Sequence, residues 1–189
     1  MNIVSIIVAA TLSENYVLSR LLGIYPVIDN NSNKKSEILW NGIILTMAML
    51  ILSSLSYATY TWILERFDVS YLAIIVFALL LFLTSHLVVI AFDKTKARHG
   101  RMNIDSIIGN SAVLGVVLVN VPQVDSFVYL ISSALAAGVG YTLVSILLSD
   151  VNNRIDDTDI PAIFRGFPIQ LITLGLMAYA FWGFHGILH

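Results

Sequence analysis

Few side chains in this 189-residue sequence can do chemistry, and those of most interest stand inside apolar runs. Glu14 and Arg20 lie in the first run. A charge at membrane depth is costly and is kept only against a cavity, a partner charge or the interface, so Glu14 is a candidate for an ion path. The two residues are six apart, which puts them on different faces of an unbroken helix. A break between them would bring them together; otherwise Arg20 snorkels to the interface. Asn15 and Asn110 each open a stretch that ends in proline. Their amides suit backbone groups freed at a helix break, and they join Glu14 as ion-path candidates. His86, in "LTSHLVV", either relays protons or is a neutral side chain bonded between helices. His185 and His189 are four apart without a third ligand, and His99 lies in a basic loop, so no metal site is expected. Cysteine is absent, which removes disulfides, thiolate nucleophiles and thiolate ligands. No Walker motif, dinucleotide glycine fingerprint or Ser-His-Asp order occurs, so no catalytic residue is assigned.

The elements that position these residues follow from composition. The chain is 58% hydrophobic and 12% charged, with a mean hydropathy of +0.85. Soluble domains average about 45–50% apolar and about 25% charged residues. The balance is that of an integral membrane protein in a lipid bilayer, and a net charge of −2 offers nothing to nucleic acid. Six hydrophobic segments lie near 2–27, 38–64, 71–92, 106–121, 127–149 and 162–188. About 20 helical residues cross the hydrocarbon layer. The second, third, fifth and sixth segments reach that length, the fourth is short, and the first is long but interrupted. Backbone groups facing lipid must be paired within their own segment, which selects helices. The "MNIVSIIVAA" start lacks a basic n-region and reads as the first span rather than a signal peptide.

Charge gives the orientation. With the amino terminus on one side, the loops at 28–37, 93–105 and 150–161 share the other. They carry Lys34, Lys35, Lys94, Lys96, Arg98, Arg101 and Arg154, with Arg165 just inside the last helix. The first side has only Arg66, beside Glu65. The positive side is expected to be cytoplasmic, with both termini outside.

The first segment reads Asn15, Val17-Leu18, Pro26, and the fourth reads Asn110, Val113-Leu114, Pro122. Each opens a set of three spans, so the second set enters from the opposite face: a 3+3 inverted repeat, with repeat one about 1–92 and repeat two about 106–188 in a single membrane domain, 1–189. Paired interrupted segments in two halves point to a midplane site. The other reading is two ordinary spans, each ended by proline. "ALAAGVG" at 134–140 places Ala134 and Gly138, and Ala136 and Gly140, at the spacing of close helix packing. "DDTD" at 156–159 reads as a loop with Asp159 as a helix cap. The basic loop 93–105 suits anionic lipid or a soluble partner.

At these residues the sequence resembles the RnfA/NqrE family, six-span subunits of the Rnf electron-transport complex and the sodium-pumping NADH:quinone reductase. "NYVLSRLLGIYP" is similar to its first motif, "NSAVLGVVLVN" to its second, "TWILERFDVSYL" at 61–72 to the loop after span two, and "IPAIFRGFPIQLITLGLMAYAFWGFHGIL" at 160–188 to its last span. Phe164, Arg165 and Gly166 favour the RnfA side. The resemblance implies an all-α inner-membrane subunit, bacterial or archaeal, that pairs with an RnfE-like homologue of opposite orientation among other Rnf-type subunits. It also implies a shared [2Fe-2S] cluster, with one cysteine just before the first proline and one just after the second asparagine. Those positions are Tyr25 and Ser111 here. Neither is a normal ligand, so no cofactor is expected on this chain alone. Either the chain is a divergent paralogue that keeps the scaffold with a different cofactor or none, or a partner supplies every ligand; on the plain structural reading Tyr25 fills the space, its hydroxyl bonded to Ser111 or to backbone. The expected function is a non-catalytic subunit of a redox-driven translocase of Na⁺ or H⁺; the alternative is a cluster-free transporter or assembly protein that keeps the fold.

Overall fold

The computed structural model describes residues 11, 15–24, 35–92, 107–123, 126–155 and 160–184, and every regular element among them is helical. These are α1 (Tyr16–Arg20), α2 (Lys35–Thr59), α3 (Ala73–Phe92), α4 (Ser111–Asn120), α5 (Phe127–Asn152) and α6 (Phe167–Trp182). Leu, Ile, Val and Ala fill them, and helices keep backbone bonds within each segment where no water is present to take them. Three stretches are long and apolar enough to cross a membrane: Lys35–Leu64, Ser70–Ala91 and Phe127–Asn152. Ser111–Gln123 and Phe167–Trp182 are shorter apolar helices. The molecule is a multi-pass membrane protein.

The sixth segment is shorter than its hydropathy implies. Gly166 takes φ +78°, a conformation that L side chains rarely adopt, and Pro168 sits in the first turn, so α6 starts at Phe167. Upstream, Pro161 leads into a 3₁₀ turn at Ala162–Phe164, and Arg165 Nε donates to Ile160 O at 2.9 Å.

Helices α2 and α5 form the centre. They run antiparallel, with Gly42 against Thr142, Thr46 against Gly138 and the Tyr57 ring 5.6 Å from that of Phe127. A Cβ on Gly42 or Gly138 would meet the opposing threonine inside van der Waals contact, so the small residues of "ALAAGVG" serve close packing, as expected. At one end Lys35 and Asp150 form an exposed ion pair at 2.9 Å. The start of α2 and the end of α5 therefore lie at one end of the bundle.

At the other end α2 finishes in a π-helical turn, Tyr60–Leu64. Asp68, at φ +56°, turns the chain into the 3₁₀ turn Ser70–Leu72 and α3. Trp62, Phe67 and Tyr71 are exposed here beside Glu65 and Arg66. Aromatics flanked by charge mark a membrane–water boundary.

Candidate functional site at two helix breaks

Each asparagine starts a helix in the same manner. Thr11 is helical, Asn15 is not (φ −58°, ψ 119°), and α1 follows. Ile107 and Ile108 are helical, Asn110 is extended (φ −85°, ψ 100°), and α4 follows. Asn15 Oδ1 accepts from Val17 N–H at 3.0 Å, and Asn110 Oδ1 accepts from Ala112 N–H at 3.0 Å. These are N-caps, which satisfy donors that a new helix leaves open. Both asparagines are buried. Asn15 Nδ2 also donates to Thr11 O at 2.9 Å, tying the two sides of the break together. The break in the fourth segment is not at its proline. Pro122 lies in the 3₁₀ turn that ends α4, and Pro26 lies outside the described residues.

The two interrupted segments touch. α1 ends with Leu21 in the left-handed region, and Leu22 N–H reaches back to Tyr16 O at 3.2 Å. Gly23 follows at φ +73° and donates its N–H to Ser111 Oγ at 2.8 Å. A Cβ at Gly23 would sit 2.7 Å from Asn110 Oδ1 and 2.9 Å from Ala112 Cβ. Only glycine fits this approach, for both its conformation and its space. Gly140 does the same for the other asparagine, since its Cβ would lie 2.7 Å from Asn15 Nδ2. Gly140 and Tyr141, which flank the junction, stand at the middle of α5 and so at mid-depth of that span.

A second polar contact joins the same elements. Tyr16 hydroxyl donates to Asn120 Oδ1 at 2.8 Å, Asn120 Nδ2 donates to Ser133 Oγ at 2.9 Å, and Ser133 Oγ lies 3.4 Å from the tyrosine oxygen. This buried ring links α1, α4 and α5. No motif pointed to it; the available signal was Asn120, an amide inside an apolar run just ahead of Pro122.

Other candidates fall as follows. Arg20 is exposed and places its Cζ 5.6 Å from the centroid of the Tyr16 ring, so it reaches outward from the end of α1. His86 does not bridge helices: its Nδ1 lies 3.0 Å from Phe82 O, one turn back, and its ring stacks near Phe82. Glu14, Tyr25, Asp159, His99, His185 and His189 lie outside the described residues. A cavity of about 330 Å³ opens between α1 and α6, with Asn15 and Ser19 on one wall and Tyr179 and Trp182 on the other.

The residues present do not fit an iron–sulfur cluster. The sequence has no thiolate to offer. Ser111 Oγ already accepts the Gly23 N–H, and the neighbouring backbone closes against Asn110 and Ala112. Among the described residues no group of three His, Cys, Asp or Glu side chains is placed to hold a metal ion.

Fold and junction together define a polytopic helical membrane protein with two interrupted helices in contact. The family model described as "Rnf-Nqr subunit, membrane protein" matches residues 3–188. The chain belongs to the Rnf-Nqr family of membrane subunits. It is 32% identical over 190 residues to the A subunit of the Na(+)-translocating ferredoxin:NAD(+) oxidoreductase complex of Acetobacterium woodii, covering 99% of this chain and 98% of that protein. It is 34% identical to the A subunit of the ion-translocating oxidoreductase complex of Shewanella loihica, over 97% of each chain. The protein of the same name from Alcanivorax borkumensis is 35% identical, over 98% of this chain and 97% of that one.

Proposed function

We propose that this chain is an RnfA-like membrane component of an ion-translocating electron-transport complex, contributing scaffold and an ion and electron path at the midplane rather than catalysis. The observation that carries the reading is the Gly23–Ser111 contact between two Asn-capped breaks, in a chain whose full-length relatives are named as the A subunits of such complexes. Helix ends at mid-depth turn backbone donors and acceptors toward one place, which a transported ion requires.

The reading includes a 3+3 inverted repeat within a single membrane domain, 1–189. Its support is an offset of 96 that recurs along both halves, with Asn15 and Asn110 one position short of it at 95 (15 to 110). Val17 and Val113, Pro26 and Pro122, Gly42 and Gly138, and Thr46 and Thr142 are each 96 positions apart (17 to 113, 26 to 122, 42 to 138, 46 to 142). The contacts reciprocate: Gly42 meets Thr142 while Thr46 meets Gly138. A two-fold relation produces such exchanged pairs. Six spans with the basic loops in the cytoplasm put both termini outside, in a bacterial or archaeal inner membrane.

The expected partner is an RnfE-like homologue of opposite orientation, with other Rnf-type subunits. Any [2Fe-2S] centre in that assembly takes its ligands from elsewhere. Glu14, Asn15 and Asn110 remain the ion-path candidates on this chain. The test is purification of a tagged copy from its native membrane. A second, homologous membrane protein should accompany it, together with flavin-bearing and ferredoxin-like chains. Recovery of this chain alone, with transport activity of its own, would instead establish the cluster-free transporter reading, which the missing thiolates favour.

A further inference from the structure

Hydroxyl side chains in these helices have an easy partner, the carbonyl one turn back. Thr46 takes it from Gly42 at 2.7 Å, Thr142 from Gly138, Ser132 from Val128 and Ser145 from Tyr141, each at 2.8 Å. Ser53, Ser56 and Thr84 do not. All three are fully buried, and none of their oxygens has a hydrogen-bond partner. Helical counting places them along one seam. The Tyr60 ring lies 6.3 Å from Phe77 across the α2–α3 turn. Counting away from that pair along two antiparallel helices brings Ser56 level with Leu81, Ser53 with Thr84 and Met49 with Val88. These six residues are all buried. Ser53 is near the middle of the Lys35–Leu64 span, and α4 packs against both α2 and α3.

Three orphaned oxygens at adjacent levels of one apolar seam point to something they would ligate. The donor set limits its chemistry. The oxygens are neutral, and no carboxylate or imidazole shares the seam among the described residues; His86 is turned to its own helix on the outer side. A divalent ion would need carboxylates to balance its charge. Neutral oxygens suit a singly charged hard cation that sheds part of its water.

We infer that Ser53, Ser56 and Thr84 form a binding site for a partly dehydrated Na⁺ between α2 and α3. The site deepens the proposed ion path and rests on that reading for its use by the cell, though binding itself is a property of this chain. The full-length chain in lipid nanodiscs is unfolded by heat in sodium, potassium and choline chloride at equal ionic strength, with ²²Na⁺ binding measured on the same samples. The midpoint should rise with Na⁺ concentration over choline, as linkage demands of a ligand held only by the folded state. The triple variant Ser53→Ala, Ser56→Ala, Thr84→Val should fold, because it deletes unpaired groups with little change in volume, and should lose both the Na⁺-dependent rise and the bound ²²Na⁺. Should the triple variant not fold, Ser53→Ala alone is read in the same way. Equal midpoints in Na⁺ and choline for the unaltered chain, which would leave water as the occupant, overturn the site. So does a folded variant that still binds ²²Na⁺. Neither result touches membership of the complex, which the co-purification tests separately.

Discussion

At the scale of single residues, the asparagines do what their chemistry suggested. An amide beside a freed helix end caps it, and Asn15 and Asn110 cap theirs in the same geometry. Asn110→Ala should lower stability by about 1 kcal/mol, the usual cost of a lost cap, read as a drop in thermal midpoint. Ser111→Ala leaves the buried Gly23 N–H without an acceptor, and about 1–3 kcal/mol should be lost. Ser111→Thr, which keeps the hydroxyl, should retain most of it. These roles were legible in part. Ser111 stood out because a thiolate was missing from its position, and the sequence offered Tyr25 as its partner. Its acceptor role toward Gly23 was hidden, since a glycine's backbone N–H carries no mark in sequence and the bond spans 88 positions.

At the scale of elements, hydropathy located the long spans because a crossing helix must be apolar throughout. It overstated the last one. Apolar residues run through 162–188, but Gly166 and Pro168 set a late helix start that hydropathy does not sense. The α2–α5 contact was half legible: glycine and alanine spacing announced a close approach without naming the opposing helix. Both crossing points are tight enough that Gly138→Leu should drive Thr46 away and separate the helices. A large loss of folded yield after detergent extraction is the expected readout, whereas Gly175→Leu, with nothing within 4 Å of its Cβ position, should be tolerated. The Tyr16–Asn120–Ser133 ring ties three elements, so Tyr16→Phe should cost about 1–3 kcal/mol by stranding Asn120 Oδ1 in an apolar setting.

At the scale of the whole molecule, like residues separated by 96 positions meet between α2 and α5, and the two interrupted segments touch at Gly23 and Ser111. A pattern of exchanged contacts was invisible in one dimension, because it depends on which helix faces which. The orientation rests on charge alone, and a chain without cysteine makes it easy to test. Single cysteines placed at the two termini should react with a membrane-impermeant maleimide added outside intact cells; labelling only after lysis would reverse the topology.

The central claim is that the two interrupted segments meet inside the bilayer. Leu22 Cγ lies 3.3 Å from the position a Cβ on Gly115 would take, which places a sulfur at residue 22 within disulfide reach of residue 115. The double variant Leu22→Cys, Gly115→Cys, with a protease site set into the 93–105 stretch, should stay in one piece after oxidation and cleavage and fall into two halves only on reduction. Two halves without reductant, from protein whose cysteines remain open to maleimide, would contradict the account.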